Sequence, residues 1–552
     1  MFGEMMNVQL TISSILEHAE RFSGDTQIVS RNTEGGIHRY TYKDAAKRAR
    51  QLANALYSKL GISFQDRIAT LAWNNHRHYE TYYAVSGSGA ILHTINPRLH
   101  PEQLVYIMNH AEDVVLFIDI TFLPLINAIH DKLPKLKHVV VLAPKEAIPE
   151  SPLDLISYED LIADQSDEYE WPDMNENLAA SMCYTSGTTG NPKGVVYSHR
   201  STVLHAIAAC TPSALGMGSQ NVVLPVVPMF HVNAWGIPYS AAMAGAKLVL
   251  PGPGLDGKSL QEMVTEENAD LLLGVPTVWL NLLQHCEKEN VTLTSVTRAV
   301  IGGSAAPLSM IKAFEEKHGV FVVHAWGMTE MSPLGTSNPP SRYMEGVSMD
   351  ERFQLQKSQG RPVFGVQMRI ADDDGVDQPH DGKTSGRLLV KGPWIASGYY
   401  KEAEQSAWEG DWFDTGDVAT MDEQGFLQIV DRAKDIIKSG GEWISSVDVE
   451  NAAMGHAAIA ECAVVGLPHP QWAERPLLAV VLKEGVEATK EDILAYLGEQ
   501  VVKWWLPDEV VFVSELPHTA TGKVLKRKIR DEYQDLYQNA ASGEGTTAAP
   551  NA

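Results

Sequence analysis

Short apolar runs alternate with longer amphipathic segments over two stretches of the chain. Between about residues 40 and 145, the runs RIATLAW, VVLFID and HVVVLAP are separated by segments with helical spacing. The same alternation returns between residues 200 and 335, in runs such as NVVLPVVPMF, ADLLLGVP and FVVHAWG. Runs of this length are typical of buried strands in parallel sheets that helices cover. The pattern predicts two α/β layers.

The pattern changes between about residues 360 and 430. Apolar runs become short and Gly, Asp and Pro become frequent, as in GVQMRIADDDG, GRLLVKGPW and GFLQIVDR. This texture predicts a small antiparallel sheet or β-barrel. The last hundred residues, with IAECAVVGLP, LLAVVLK and KEDILAYLGEQV, predict a short α+β unit. We place the boundary before this unit in the polar stretch 431–441, and we expect the small-residue tail 540–552 to be disordered.

Length and charge narrow the classes of protein that the chain can belong to. At 552 residues, it is long enough for two or more domains or subdomains. Its 44 basic and 69 acidic side chains give a net charge of −25, which disfavours a nucleic-acid partner. We expect no membrane span, because no run of eighteen apolar residues occurs. The absence of a signal-peptide pattern and of any C-x-x-C pair favours a reduced, cytoplasmic location.

The most informative stretch is YTSGTTGNPKGV, residues 184–195, which follows an apolar run. It combines glycines, hydroxyls and one lysine: Thr185, Ser186, Gly187, Thr188, Thr189, Gly190, Lys193 and Gly194. Glycines let the backbone approach an anion, and the hydroxyls and the ammonium donate to phosphate oxygens. Pro192 before the lysine and Gly194 after it exclude the common G-x-x-x-x-G-K-[ST] loop. We predict a different polyphosphate loop; the alternative is a flexible surface linker.

A second glycine-rich stretch, residues 252–257, formally matches the dinucleotide fingerprint G-x-G-x-x-G. Pro251 and Pro253 remove two amides that such a loop would direct at pyrophosphate. We therefore predict a plain strand-to-helix turn there.

Five motifs occur in an order that carries a family resemblance: YTSGTTGNPKGV, AWGMTE, DWFDTGD, DRAKDIIKSGGEWIS and TGKVLKRKIR. The chain resembles the adenylate-forming superfamily of acyl-CoA synthetases, peptide-synthetase adenylation domains and luciferases, from about residue 10 to 535. It is most similar to medium- and long-chain fatty acyl-CoA synthetases and to 3-methylmercaptopropionate-CoA ligases. The resemblance implies a large N-terminal domain, residues 1–434, and a small mobile C-terminal domain, residues 435–539, with Asp435 as the hinge.

The resemblance also implies a reaction. It implies an acid–thiol ligase that uses ATP, Mg²⁺ and coenzyme A, forms an acyl-adenylate and releases AMP, acting on a short- to medium-chain fatty acid or 3-methylmercaptopropionate. A homodimer is expected from relatives. Two alternatives remain open, namely transfer of the acyl group to an acceptor other than coenzyme A, and a nucleotide sensor without catalysis.

The resemblance assigns the nucleotide site position by position. Residues 185–193 would hold the β- and γ-phosphates, Trp326 would lie against adenine, and Thr329 would contact the α-phosphate. Asp417 would accept the ribose hydroxyls and Arg432 would reach ribose or phosphate. The remaining nucleotide positions are Gly303, Ser304, Ala325, Gly327 and Met328. Glu330 and Thr185 would hold Mg²⁺, and the catalytic set would be Lys523, Glu330, Thr185 and His231.

The same resemblance assigns the acyl and coenzyme A sites. The acyl pocket would be lined by His231, Val232, Trp235, Gly302, Gly303, Gly327 and Met328, with Trp235 similar to the gate of fatty acyl-CoA synthetases. Because glycines have no side chain, Gly302, Gly303 and Gly327 would leave room for an apolar chain. The path for the pantetheine arm would be Lys438, Gly440, Gly441, Glu442 and Trp443. Taken singly, several of these residues have simpler explanations: Trp326 as a core aromatic, Asp417 as a turn residue, and Lys523 as part of a basic helix face.

Overall fold

The computed structural model describes residues 1, 3–185, 191–403, 405–440, 442–518 and 524–537. Four sheets with helices packed against them make up this part of the chain. Within the described ranges, no helix is both long and apolar enough to cross a membrane.

The first sheet has seven strands in the order β7-β6-β5-β3-β4-β8-β9, and its pairs are parallel except β8 with β9. The elements as far as residue 198 are α1 (Ile12–Phe22), β1 (Gln27–Arg31), β2 (Ile37–Thr41), α2 (Tyr42–Ser58), β3 (Arg67–Leu71), α3 (His76–Gly87), β4 (Ile91–Thr94), α4 (Pro101–Ala111), β5 (Asp113–Ile118), α5 (Leu123–Ile129), β6 (His138–Val141), β7 (Leu155–Ser157), α6 (Tyr158–Ile162), β8 (Ala179–Tyr184) and β9 (Gly194–Ser198). The predicted first α/β layer is confirmed.

The second sheet has nine strands in the order β16-β15-β14-β13-β12-β10-β11-β1-β2. Its further elements are α7 (His199–Cys210), β10 (Val222–Pro225), the turn α8 (Val232–Trp235), α9 (Ile237–Ala244), β11 (Lys247–Leu250), α10 (Gly257–Glu267), β12 (Leu271–Gly274), α11 (Pro276–Glu289), β13 (Arg298–Ile301), α12 (Leu308–His318), β14 (Phe321–Gly327), β15 (Leu334–Ser337), α13 (Met349–Lys357) and β16 (Arg361–Pro362). The second layer is therefore also present, and it takes its β1–β2 edge from the start of the chain.

The third and fourth sheets have five strands each. The third contains β17 (Gln367–Ala371), β18 (Gly386–Lys391), β19 (Trp408–Glu409), β20 (Trp412–Met421) and β21 (Leu427–Arg432), all antiparallel. The fourth lies in a separate α+β unit of β22 (Ile437–Ser439), β23 (Glu442–Ile444), α14 (Ser446–Ala453), β24 (Ile459–His469), β25 (Ala473–Leu482), α15 (Lys490–Gln500), β26 (Glu509–Phe512) and α16 (Lys526–Tyr533). The α/β fold with a large N-terminal part and a small C-terminal unit agrees with the sequence.

The stretch 252–257 is the predicted strand-to-helix turn between β11 and α10. The Gly252 amide donates to the carbonyl of Asn74 at 2.9 Å, so the protein itself uses this donor. Asp256 immediately precedes α10, and its carboxylate accepts from the Ser259 amide at 2.9 Å, which is an ordinary N-terminal helix cap.

Polar side chains buried between the two layers fix the segment that precedes residue 231. The Asn74 amide donates to the carbonyls of Pro225 at 2.9 Å and Val227 at 2.8 Å, and its oxygen accepts from the Met229 amide at 2.7 Å. The buried Tyr83 hydroxyl donates to the Pro238 carbonyl at 2.9 Å. Because these contacts satisfy backbone groups away from water, the loop 225–238 is held tightly against the first layer.

Candidate active site

The ends of the predicted phosphate loop face each other across the β8–β9 pair. The Thr185 amide donates to the Lys193 carbonyl at 2.9 Å, and the Lys193 amide donates to the Thr185 hydroxyl at 3.3 Å. The Lys193 ammonium lies 4.7 Å from the centre of the Tyr399 ring, within the range of a cation–π contact. Residues 186–190, which carry Ser186, Gly187, Thr188, Thr189 and Gly190, lie outside the described ranges.

Glu330 is a buried carboxylate beside that ring. The Tyr399 hydroxyl donates to Oε1 of Glu330 at 2.6 Å. Burial raises the pKa of the Glu330 carboxyl, while the Tyr399 hydrogen bond and the nearby Arg432 lower it. The preceding residue, Thr329, is anchored through its carbonyl, which accepts from the Tyr197 hydroxyl at 2.7 Å. Tyr399 therefore contacts both the lysine of the predicted phosphate loop and the predicted magnesium ligand.

Asp417 joins two of the other predicted nucleotide residues. The Trp326 indole donates to Oδ2 of Asp417 at 3.0 Å, and Nε of Arg432 lies 2.8 Å from Oδ1 in an ion pair. Asp417 and Arg432 are cross-strand partners in β20 and β21, whereas Trp326 comes from β14 of the second sheet. The Asp417 carboxylate is 3% exposed, and each of its oxygens could accept a further hydrogen bond from a ligand, because an ionised carboxylate oxygen can accept more than one.

Residues 302–304 and 325–328 lie at the carboxyl ends of the adjacent parallel strands β13 and β14. A methyl group built on Gly302 would lie 3.0 Å from both the Ala325 carbonyl oxygen and Cη2 of Trp235, and one on Gly303 would lie 3.2 Å from Val275. Met328 donates from its amide to the Pro333 carbonyl at 3.1 Å. Ser304 follows in the same loop, so these predicted positions share one edge of the sheet.

Gly327 differs from its sequence interpretation. A methyl group built on Gly327 would lie 1.9 Å from the Pro333 carbonyl oxygen, which is too close for any side chain. Glycine at this position therefore makes room for the Pro333 backbone, and it does not leave open space for an acyl chain.

The predicted acyl-pocket residues Val232 and Trp235 belong to a left-handed turn. All four residues of α8 have positive φ, from 46° at Val232 to 57° at Trp235, and His231 immediately precedes them. The His231 amide donates to the Pro228 carbonyl at 3.0 Å. The turn presents the Trp235 ring to Gly302.

The predicted hinge and coenzyme A path lie at the start of the C-terminal unit. Asp435 accepts from Arg530 of α16 at 3.0 Å. The hairpin β22–β23 carries Lys438, Gly440, Glu442 and Trp443, and the Lys438 amide donates to Glu474 at 2.8 Å. Trp443 is 43% exposed. Gly441 and Lys523, the predicted catalytic lysine, lie outside the described ranges.

Sequence reasoning missed Tyr399 and Tyr197. Tyr399 lies 69 residues from Glu330 in the sequence, and its segment SGYYKEAEQ carries no spacing that indicates chemistry. Tyr197 is buried in β9 and reads as an ordinary strand aromatic. Neither pairing leaves a local signal, because each joins two segments that are distant in the chain.

Comparison with known proteins gives the chain a family. Residues 15–400 match the model of the AMP-binding enzyme family, and residues 448–523 match that of the AMP-binding enzyme C-terminal domain. The chain is 53% identical to the 3-methylmercaptopropionyl-CoA ligase of Ruegeria lacuscaerulensis, over 97% of this chain and 99% of that protein. It is 50% identical to the medium-chain-fatty-acid–CoA ligase of Ectopseudomonas oleovorans, over 98% and 99%.

The crystal structure of the anthranilate CoA ligase AuaEII in complex with anthranoyl-AMP has the same fold. It superposes with a TM-score of 0.85 at 26% sequence identity, over 97% of this chain and 99% of that one. The family matches cover most of the chain and include Trp326, Glu330 and Tyr399, whereas Asp417 lies between the two matched ranges. The chain belongs to the AMP-binding enzyme family.

Proposed function

We propose that the chain is an AMP-forming acid–thiol ligase that converts a carboxylic acid, ATP and coenzyme A into acyl-CoA, AMP and diphosphate. The observation that carries the proposal is the buried Asp417 carboxylate held between the Trp326 indole and the Arg432 guanidinium. An aromatic face beside an acceptor for ribose hydroxyls suits an adenosine group. Two relatives at 50% identity or more, named as CoA ligases, give independent support.

The proposed roles are those that the family resemblance assigns to these residues. Residues 185–193 bind the β- and γ-phosphates, with Lys193 as the cation. Trp326 stacks on adenine beside Gly303, Ser304, Ala325, Gly327 and Met328. Thr329 contacts the α-phosphate, Asp417 accepts the ribose hydroxyls, and Arg432 reaches the ribose or a phosphate.

The residues present fit a magnesium ion. Mg²⁺ in ATP-dependent enzymes takes one or two protein oxygen ligands together with substrate phosphates and water. Glu330 offers a buried carboxylate that already accepts the Tyr399 hydroxyl, and Thr185 offers a hydroxyl at the end of the phosphate loop. When bound, Mg²⁺ offsets the negative charge of the triphosphate.

The first step we propose is attack of the acid's carboxylate oxygen on the α-phosphorus, with diphosphate leaving. Both reactants are anions, so a cation must lie between them, and we assign this role to Lys523. In the second step the coenzyme A sulfur attacks the acyl carbonyl and AMP leaves. We propose that the C-terminal unit, residues 435–539, rotates about Asp435 between the steps, so that residues 438–443 replace Lys523 and line the pantetheine path.

The acid we propose is a short- to medium-chain fatty acid or 3-methylmercaptopropionate. The residues assigned to the acyl pocket include Val232, Trp235 and Met328 and carry no acidic or basic side chain other than His231, which favours an uncharged tail. The names of the two relatives agree with this range. Comparing kcat/KM for a series of straight-chain acids and their thioether analogues identifies the acid, because each pocket methylene is worth about 1–3 kcal/mol.

The experiment that tests the function incubates the purified protein with ATP, MgCl₂, coenzyme A and each acid, and measures AMP and acyl-CoA. We expect equal amounts of both products. AMP with acid but no acyl-CoA identifies an acceptor other than coenzyme A, and ATP binding without turnover identifies a nucleotide sensor. We further propose that the protein is cytoplasmic and forms a homodimer. Light scattering of the purified protein measures its mass and so tests the dimer.

A further inference from the structure

The turn α8 is an unusual piece of backbone. Val232, Asn233, Ala234 and Trp235 have φ values of 46°, 50°, 49° and 57°, and Gly236 continues the run at 74°. Residues other than glycine disfavour this region because Cβ approaches the following carbonyl oxygen, and a β-branched valine disfavours it most. Such strain persists only where surrounding contacts fix the conformation. The contacts that fix this turn are therefore informative.

The side chain of Asn233 supplies those contacts. Its amide nitrogen donates to the Ser181 hydroxyl at 3.0 Å. Its oxygen accepts from the Thr94 hydroxyl at 3.2 Å and from the Cys183 thiol at 3.5 Å. Asn233 is only 5% exposed, so these groups have no competition from bulk water.

The three partners connect the turn to the predicted phosphate loop. Thr94 lies in β4, and Ser181 and Cys183 lie in β8, with Thr94 and Cys183 paired across the two strands. Strand β8 ends at Tyr184, directly before Thr185. Asn233 therefore ties a turn between β10 and β11 of the second sheet to the strand of the first sheet that leads into the loop.

In the sequence, Asn233 lies midway between His231 and Trp235, which are both assigned to the acyl pocket. His231 is two residues before it, and Trp235 is two residues after it. The Trp235 ring lies against Gly302, where even one added methyl would come within 3.0 Å of Cη2. A small change in the turn must therefore move the indole relative to Gly302, since close-packed groups cannot absorb it.

We propose that Asn233 is a positioning residue for the carboxylic acid: its three hydrogen bonds hold the left-handed turn so that His231 and Trp235 present a fixed surface to the acyl chain. The inference rests on the proposed function, because it takes the space beside these residues to be the acyl site. It assigns selectivity among acids to a buried amide that does not itself touch the acid.

Two glycine variants separate this role from simple tolerance of positive φ. Asn233→Gly and Ala234→Gly both relieve strain in the same turn, because glycine adopts positive φ freely. Only Asn233→Gly removes the hydrogen bonds. We expect Asn233→Gly to raise KM for the preferred acid by about tenfold relative to Ala234→Gly, the loss expected for uncoupling a buried hydrogen-bonded group. The kcat/KM values of Asn233→Gly for acids of different length should also differ less from one another.

The KM for ATP is the internal control, and it should stay within about twofold of the value for Ala234→Gly. Thr94→Val keeps side-chain shape and deletes one of the three bonds, so it should shift the acid selectivity in the same direction by a smaller factor. If Asn233→Gly does not fold, Thr94→Val decides the question by the same comparison with the unmodified chain.

If both glycine variants fold, the proposal is overturned when Asn233→Gly and Ala234→Gly have the same KM for the acid and the same selectivity among acids. If Asn233→Gly does not fold, it is overturned when Thr94→Val leaves the KM for the acid and the selectivity unchanged. Failure of the proposed function has a different signature. In that outcome the unmodified chain makes no AMP with any acid, and the assignment of an acyl site falls with it.

Discussion

The Trp326 indole donates a hydrogen bond to the Asp417 carboxylate at 3.0 Å, across the junction between the second and third sheets. Arg432 occupies the other carboxylate oxygen at 2.8 Å. The two contacts orient the Asp417 carboxylate before any nucleotide is bound. Preorganisation of this kind reduces the cost of ordering the site on binding.

Asp417→Asn tests this arrangement. The substitution keeps the size of the side chain but removes its charge, which weakens the Arg432 contact and replaces an acceptor oxygen by a donor. We expect kcat/KM for ATP to fall by about 10- to 100-fold, the loss expected for hydrogen bonds to a charged group. Asp411→Asn, at an exposed position in the same segment, is the matched control and should leave kcat/KM unchanged. An equal effect of both variants contradicts the assignment.

Tyr399→Phe tests the link between the proposed phosphate loop and Glu330. The variant keeps the ring under Lys193 and removes the hydroxyl that donates to Glu330. We expect the Mg²⁺ concentration needed for half-maximal binding of a non-hydrolysable ATP analogue to rise by about tenfold. Calorimetric titration measures this binding without turnover.

The control for Tyr399→Phe is Tyr400→Phe, the same substitution at the next residue, whose ring lies against His110 at 5.5 Å. It should leave the Mg²⁺ requirement unchanged. The assignment of Tyr399 fails if the two variants have equal Mg²⁺ requirements.

Asp119 predicts a pH dependence of stability. This carboxyl is fully buried, it accepts from the Trp73 amide at 2.7 Å, and burial raises its pKa from 3.8 to about 7. The folded chain therefore keeps a proton that the unfolded chain releases near pH 4. The resulting stability is fully present below pH 4 and is lost as the pH rises to about 7.

Asp119→Asn removes this titration. Relative to the variant, the free energy of unfolding of the unmodified chain should fall by up to about 4 kcal/mol across that window, from about three pKa units at 1.36 kcal/mol each. Urea unfolding at several pH values between 4 and 8 measures the difference. Parallel pH curves for the two proteins contradict the prediction.

Lys523→Ala tests the proposed two-conformation mechanism. We expect acyl-adenylate formation to fall by about 10²- to 10³-fold, because an ammonium that offsets charge on the phosphoryl oxygens is lost. Conversion of supplied acyl-AMP and coenzyme A into acyl-CoA should be retained. Lys528→Ala, an exposed lysine in α16, is the control for both half-reactions. Equal losses in the two half-reactions rule out the exchange of Lys523 for the 438–443 hairpin.

Much of the fold could be predicted because its signals are local. The runs RIATLAW and VVLFID form β3 and β5, since apolar periodicity directly reflects which faces are buried. The partner of a strand is not local information. Nothing in the stretch 27–31 indicates that β1 pairs with β11, more than two hundred residues away, and so extends the second sheet.

The site could be predicted only as far as its motifs reach. Trp326, Glu330 and Asp417 were placed by motif, and the structure brings Trp326 and Asp417 into contact. The left-handed turn at Asn233 has no sequence signature, because no glycine occupies its four positions and tertiary contacts impose its φ values. Gly327 is the opposite case. The sequence predicts that this glycine leaves room for the acyl chain, but the space beside it is filled by the Pro333 backbone.

The most direct test of the account uses an acid labelled with ¹⁸O in its carboxyl group. If the acid oxygen attacks the α-phosphorus, the P–O bond formed in that step survives when coenzyme A expels AMP. Mass spectrometry should therefore find one ¹⁸O in AMP and none in diphosphate, together with labelled acyl-CoA. Unlabelled AMP, or ADP with ¹⁸O in inorganic phosphate, would contradict the proposal that this chain forms acyl-CoA through an acyl-adenylate.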